Sequence, residues 1–350
     1  MRDGFGREID YMRISVIDSC NLNCYYCNPC DNNEHCHALN ILSVKEVLCI
    51  VRAATRLGIK HFRLTGGEPL LHPQLDEMVL QIKKISGVSS VSLTTNAVLL
   101  AQHAKWLKEA GIDSINVSLD TIDASEYEHI TKKPLLHKVE QGIDAAIECG
   151  IRVKINAVLT PQTDVVALTR YVAKKGTDIR FIEMMPVGEG HTNGVEPYKK
   201  VIGTLSKLYG EPCRINTEKT KEINSGNDKR KIPDNGPAEY YIFPELGIRV
   251  GLIQAIHGKF CDTCNRIRVT ADGRLMPCLG SSVTMDLVPD SWDFADDAEK
   301  DFSIVRALRA AIKAKPRCHN FNDNAVTYTK TTEIEAAEVN AARNMSRIGG

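Results

Sequence analysis

Cys20-Asn-Leu-Asn-Cys24-Tyr-Tyr-Cys27 follows directly on an apolar, strand-like run from Tyr11 to Asp18. Three cysteines at C-x3-C-x2-C spacing can converge on one metal centre from a single short loop. A structural zinc takes four protein ligands, usually as two separated pairs. Three thiolates from one loop better suit a [4Fe-4S] cluster with one iron left open, and an open iron is where chemistry can happen. Three buried or zinc-binding cysteines are the plainer alternative at this point.

Outward from that loop the chain alternates. Ser43 to Leu57 reads as a helix, with Ser43 as N-cap, Glu46 completing a capping box and Gly58 closing it. A short strand, His61 to Leu64, runs into Thr65-Gly66-Gly67-Glu68-Pro69. Helices are expected over about Gln74 to Ile85, Leu100 to Ala110, Leu135 to Cys149 and Asp164 to Lys175. Between them lie strands Val88 to Leu93, Ser114 to Leu119, Arg152 to Leu159 and Ile179 to Ile182. Regular βα alternation argues for a parallel sheet with helical crossovers. Cys20, Gly66-Gly67-Glu68, Thr94-Thr95-Asn96, Ser118 to Asp120 and Glu183-Met184-Met185 all fall at or just past the C-terminal ends of strands. In a barrel those ends share one rim, where active sites form; an open sheet gathers only those near its switch point. The expectation is therefore an α/β fold, a partial (β/α)6 barrel over residues 1–215.

From about Gly188 the pattern changes, and residues 216–350 are expected to form a C-terminal α+β domain. A helix is expected around Tyr198 to Tyr209, then a polar stretch, Asn216 to Pro237, in which Lys229-Arg230-Lys231 reads as a solvated loop. Short strands follow near Tyr240 to Phe243 and Ile248 to Ile253, and a helix over Phe302 to Lys313. Cys261-x2-Cys264-x13-Cys278 is a second set of three cysteines. Its spacing alone fits half a zinc site as well as a cluster. Arg266 and Arg268 alternate on an expected strand, so both side chains face the same way.

Composition narrows the class. At 350 residues the chain can bury a full core. Lys+Arg and Asp+Glu each number 44, so no global charge draws it to nucleic acid or a membrane surface, though local basic residues can still hold an anion. Met1 to Ile9 is charged, with no apolar signal region, and no later run is long enough to span a bilayer. The expectation is a cytoplasmic protein with no nucleic-acid or membrane partner. Clustered cysteines in a reducing compartment point to metal rather than disulfides. Cys49, Cys149, Cys213 and Cys318 are scattered and read as ordinary residues.

Together these motifs carry a resemblance. The C-x3-C-x2-C loop, with Tyr26 before its last cysteine, resembles the cluster motif of the radical S-adenosylmethionine enzymes. Arg13-Ile-Ser-Val, Arg63-Leu-Thr-Gly-Gly-Glu-Pro-Leu-Leu, Leu93-Thr-Thr-Asn, Asn116-Val-Ser-Leu-Asp, Lys154-Ile-Asn, Arg180-Phe-Ile-Glu, the second cysteine set and the terminal Gly349-Gly350 then occur in order. That order is similar to the GTP 3′,8-cyclase family of molybdenum cofactor biosynthesis, from about Phe5 to the last residue. The resemblance implies S-adenosylmethionine bound to a [4Fe-4S] cluster on Cys20, Cys24 and Cys27, and a second [4Fe-4S] cluster on Cys261, Cys264 and Cys278 whose open iron takes the guanine of GTP. It implies contacts to S-adenosylmethionine from Tyr26, Gly67, Ser118 and Met185. It implies GTP contacts from Arg13, Arg63, Thr94, Lys154, Arg266 and Arg268, with Arg180 as an extra. It also implies a role in activity for Arg266, Arg268 and the Gly349-Gly350 tail. The adenosyl radical would take hydrogen from C3′ of GTP, giving 3′,8-cyclo-7,8-dihydro-GTP. A reductant such as flavodoxin or ferredoxin and a downstream cyclic pyranopterin monophosphate synthase would be partners, and a homodimer is compatible with the resemblance.

The chain also departs from that family. Asn28-Pro29 stands for a usual Met-Pro and is followed by extra Cys30 and Cys36; Asn96-Ala97 stands for Asn-Gly; and His61 stands where a fixed cation is frequent. These departures bear on the substrate and leave open a twin-cluster paralogue acting on another nucleotide or a peptide; a zinc-binding or redox-sensing protein without catalysis is the rival from another class.

Overall fold

Alternating apolar and polar residues along each strand decide how the sheet curls. The computed structural model describes residues 1–27, 40–187, 194–215, 236–281, 283–287, 297–319 and 321. Its first part runs β1 (Tyr11–Ser15), α1 (Val44–Arg56), β2 (His61–Thr65), α2 (Leu75–Lys83), β3 (Ser90–Thr95), α3 (Leu100–Glu109), β4 (Ser114–Ser118), α4 (Ala124–Thr131), α5 (Leu136–Glu148), β5 (Val153–Leu159), α6 (Val165–Lys174) and β6 (Asp178–Glu183). A single π-helical turn at Tyr198–Ile202 leads into α7 (Gly203–Tyr209). Then come β7 (Cys213–Ile215), β8 (Glu239–Ile242), β9 (Arg249–Ile253), β10 (Arg266–Val269), β11 (Arg274–Met276), β12 (Met285–Asp286) and α8 (Asp297–Lys313).

The six strands β1 to β6 are parallel neighbours, the partial barrel expected from the alternation. Its helical layer buries Met12, Ile14, Phe62, Leu64, Val91, Leu93, Ile115 and Val117 completely. Each such side chain contributes about 1.5–3 kcal/mol. The residues between them, Arg13, Arg63, Ser92 and Asn116, turn to the concave side. A closed eight-stranded barrel packs that side with branched apolar layers. Here the concave side is polar and encloses a cavity instead.

The later strands join the same sheet. β10 pairs parallel with β1, and β9 pairs parallel with β6, so eight parallel strands run side by side. Antiparallel pairs, β11–β12 and β8–β7, finish the two edges. Among the described residues the sheet therefore ends in two free edges. The residue-215 boundary falls between β7 and β8, which pair directly.

Local chemistry agrees with the elements. Ser43 caps α1 and Glu46 returns the bond to the Ser43 amide, at 2.6 Å. Helix α4, absent from the sequence reading, is capped by Asp123, whose carboxylate accepts the Glu126 N–H at 2.8 Å. Cys49 is buried in α1, Cys149 ends α5, and Cys213 and Cys318 are exposed. Lys229-Arg230-Lys231, Asn28-Pro29, Cys30, Cys36 and Gly349-Gly350 lie outside the described residues.

Ala97 breaks a local rule. It is fully buried, yet its φ is 64°, in the left-handed region that favours glycine. The turn is held by the Asn96 side chain, which accepts the Val98 N–H, and by Thr95, which accepts the Ala97 N–H. Helix α5 presses on it: a Cβ at Gly142 would sit 2.4 Å from the Ala97 carbonyl. Replacing Ala97 by glycine should stabilise the protein by about 1 kcal/mol. Thermal unfolding followed by circular dichroism should show Tm rising by a degree or two; a fall would contradict the account of this turn.

Candidate active site

The concave side of the sheet holds a cavity of about 660 Å³, within the range of small-molecule sites. Among the described residues its walls carry Arg13, Arg63, Arg152, Lys154, Arg180, Arg266, Arg268 and Lys315 against only Asp113 and Asp120. A chain with no net charge has thus placed eight of its 44 Lys and Arg around one cavity, which favours an anionic ligand.

At the C-terminal ends of the strands sits the first cysteine loop. Backbone packing holds it in place. Gly67 N–H donates to the Ile17 carbonyl at 2.7 Å and Glu68 N–H to the Ser19 carbonyl at 2.8 Å. A Cβ on Gly66 would lie 2.3 Å from the Ile17 oxygen, and one on Gly67 would lie 2.1 Å from the Ser19 oxygen. The missing side chains make room for the chain's own loop. Gly67 also lines the cavity. Helix α4 supports the same loop, its Thr131 and Ile130 carbonyls accepting the Asn23 and Tyr25 amides. Tyr26 donates its hydroxyl to Asp120, which also accepts the Val158 N–H at 2.7 Å.

Glu68 is buried beneath this loop. It accepts from Leu70 N–H, from Thr95 Oγ1 at 2.7 Å and from Asn96 N–H at 2.7 Å. Burial pushes its carboxyl up to about 7 against those three donors. Asn96 in turn donates to Asn21 at 2.7 Å and reaches Cys20 Sγ at 3.7 Å. Burial pushes the Cys20 thiol up to about 11 and Cys27 up to about 12, and raises Cys24, with repulsion from Cys27 adding to it. Thiolates so placed need a positive centre beside them.

Along the bore the cations are in register. Arg13 stands opposite Arg63 on one side and Arg268 on the other, and Tyr11 stands opposite His61 and Arg266. Burial, then repulsion from Arg268 and Arg63, holds Arg13 well below its usual value; burial, then Arg266, holds Arg268 down to about 10. Guanidinium does not surrender its proton, so the same energy becomes a preference for an anion. Arg63 donates to the Tyr11 hydroxyl and to Thr94 Oγ1 at 3.4 Å, and Arg180 donates to Asn156 at 2.9 Å. Lys154 sits 5.8 Å over the Tyr240 ring. Arg13 and Arg63 lie mid-strand, so the cations line the bore. Inward-facing residues continue down the length of each strand, which carries these cations below the rim.

The second cysteine set closes the other end. Cys261 and Cys264 precede β10 and Cys278 follows β11, placing them at the N-terminal end of the parallel β1–β10 pair. Arg266 reaches Cys264 Sγ at 3.9 Å. Burial raises the Cys264 thiol, but Arg266 and Lys315 outweigh it and hold it down to about 7. Among the described residues no three His, Cys, Asp or Glu side chains close on a single metal ion. A zinc ion needs sulfurs about 2.3 Å from one point. Cys261, Cys264 and Cys278 all open onto the cavity, a donor set that would suit the larger [4Fe-4S] cube.

A parallel α/β partial barrel with this loop at its mouth defines a radical S-adenosylmethionine enzyme. Residues 14–167 match the Radical SAM superfamily and residues 177–321 match Molybdenum Cofactor Synthesis C. The chain is 35% identical over 324 residues to a GTP 3′,8-cyclase of Clostridium perfringens, covering 92% of this chain and 95% of that protein. It is 34% identical to a GTP 3′,8-cyclase of Petrotoga mobilis over an alignment of 357 residues that spans both chains fully. The chain belongs to the GTP 3′,8-cyclase family. Streptococcus suis SuiB bound to S-adenosylmethionine shares the fold, with a TM-score of 0.57 at 14% identity over 87% of this chain and 68% of that one. Membership brings S-adenosylmethionine and [4Fe-4S] clusters as cofactors.

Every expected site residue within the described part lines the one cavity, including Ser118 and Met185. Sequence reasoning missed Tyr11, Asn116, Arg152, Asn156, Lys315 and His319. Strand alternation could have found the first four, since each shares its strand face with an expected residue; the last two follow a helix and had no such signal. If the loop packing is right, Gly67→Ala should displace Cys20 and lose about half of the roughly eight irons expected of two clusters. Cys261→Ala should lose the other half. Iron and sulfide analysis of anaerobically reconstituted protein checks this, and full loading of Gly67→Ala would contradict it.

Proposed function

We propose that this chain converts GTP to 3′,8-cyclo-7,8-dihydro-GTP in molybdenum cofactor biosynthesis. The observation that carries this reading is the register row Arg268–Arg13–Arg63, set between two three-cysteine sets in one cavity. Cys20, Cys24 and Cys27 would hold the first cluster, and Tyr26, Gly67, Ser118 and Met185 would line the S-adenosylmethionine. Cys261, Cys264 and Cys278 would hold the second, at the guanine end. When bound and reduced, the first cluster and S-adenosylmethionine supply a 5′-deoxyadenosyl radical.

The protein's own part is orientation. Arg13, Arg63, Arg266 and Arg268 hold the triphosphate through charge-assisted, forked hydrogen bonds, and Lys154 adds a point charge. Thr94 fixes the Arg63 fork, and Asn156 fixes Arg180. With phosphates and base both fixed, C3′ is held near the source of the radical and near C8, which turns the cyclisation into a positioning problem. A peptide substrate would have little use for eight cations around one cavity. The Gly349-Gly350 tail is proposed to reach this cavity. Flavodoxin or ferredoxin is the proposed reductant, cyclic pyranopterin monophosphate synthase the proposed consumer of the product, and the cytoplasm the proposed compartment.

Anaerobic incubation with S-adenosylmethionine, dithionite and GTP should release 5′-deoxyadenosine and a cyclised nucleotide in about equal amounts. Formation of 5′-deoxyadenosine without any cyclised nucleotide would overturn the substrate.

His61 bears on affinity. Its ring bonds Ser90 at 2.8 Å, and burial keeps its pKa below the ordinary imidazole value. It is therefore neutral at pH 8 and gains charge only on acidification, so its help to a bound phosphate grows as pH falls. His61→Lys should lower the KM for GTP by about tenfold at pH 8, one charge-assisted bond, with the gap narrowing towards pH 6. An equal KM at pH 8 would remove His61 from the phosphate site.

A further inference from the structure

The strap that follows α8 is held by more buried bonds than a connecting segment needs. Lys315 is 3% exposed, and its ammonium donates to the Arg266 and Pro277 carbonyls, each at 2.8 Å. Those carbonyls flank Cys264 and Cys278. Arg7, ion-paired with Asp3 at 2.6 Å, donates to the carbonyls of Pro316 at 2.7 Å, Arg317 at 2.9 Å and Cys261 at 2.8 Å. Two buried cations therefore tie the strap to both segments that carry the second cysteine set. The fit beyond is tight: a Cβ on Gly280 would lie 2.8 Å from His319 Cβ and 2.9 Å from the Phe321 ring.

His319 is what this strap presents. Its ring lies 4.1 Å from Phe321, centroid to centroid, and lines the cavity. It is 7% exposed, and neither ring nitrogen has a hydrogen-bond partner among the described residues; the Ala255 backbone lies near without bonding geometry. Buried polar groups are nearly always satisfied, and leaving one unmade is costly. A rigid support that aims an unsatisfied imidazole at a ligand-sized cavity makes sense when the ligand brings the missing partner. The guanidinium row suits phosphates, whereas a neutral imidazole beside a phenyl ring suits a planar base with a polar edge.

We propose that His319 hydrogen-bonds the purine base of the nucleotide and is a specificity-determining residue, fixed in place by Lys315 and Arg7. This rests on the GTP reading given above. The backbone amide of His319 turns to the Cys261 sulfur, a contact that any substitution but proline keeps.

The test measures binding of GTP and of inorganic tripolyphosphate to full-length, anaerobically reconstituted protein by calorimetry. His319→Phe keeps the ring and removes both nitrogens. It should weaken GTP about tenfold, the loss of one buried hydrogen bond, and leave tripolyphosphate unchanged. His319→Gln should recover part of the loss. Iron content and the cluster spectrum should match the unsubstituted protein in both variants. Unchanged GTP affinity in His319→Phe overturns the proposal, as does an equal loss for both ligands. Loss of iron would make His319 a support of the second centre and overturn it too. If the unsubstituted protein binds GTP no tighter than tripolyphosphate, the GTP reading itself fails before any variant is compared.

Discussion

Three guanidiniums side by side on adjacent parallel strands are the constraint on which this molecule turns. Parallel strands lie about 4.8 Å apart, so Arg268, Arg13 and Arg63 stand in a row that burial and repulsion both penalise. The outward neighbours of these residues, Met12, Phe62 and Ile267, are buried apolar side chains. The same alternation that builds the helical layer thus forces the charges into the bore. An anion between them relieves the repulsion, and nucleotide binding is coupled in this way to the stability of the sheet. The sheet in turn needs β10 docked on β1 to complete the row, so the C-terminal strands are part of the site.

The two ends of the bore are held by different means. At the mouth, the first cysteine loop rests on bare glycine backbone and is steadied by Glu68, Asn96 and α4. At the base, the second set is stapled by Lys315 and Arg7, two buried cations bonded to carbonyls. The mouth relies on close packing, which tolerates no added atom. The base relies on charge-assisted bonds, and removing one partner there would leave buried groups unsatisfied.

Much of this was legible in the residues. Periodicity and caps placed β1 to β6 and all but one of their crossover helices to within three residues, because each element carries its own local signal; Ser43 with Glu46 is one example. Arg266 and Arg268 were paired by alternation alone. Pairing of β10 with β1 joins residues some 250 positions apart and leaves no local trace, so the continuity of the sheet could not be read. Helix α4 was missed because it buries only Tyr127, Ile130 and Thr131, too few for a periodic stripe, although Asp123 and Glu126 carried its capping signature. The glycines after β2 leave room for the Ile17 and Ser19 carbonyls, a close packing that no local pattern announces. Lys315 and His319 act through contacts that only the folded chain creates.

The central claim is that the arginine row holds GTP with its C3′ hydrogen presented to the first cluster's end of the bore. GTP deuterated at C3′ tests it most directly, with the 5′-deoxyadenosine released under anaerobic turnover read by mass spectrometry. The account predicts deuterium in that product. Unlabelled 5′-deoxyadenosine, formed while GTP is consumed, would contradict it.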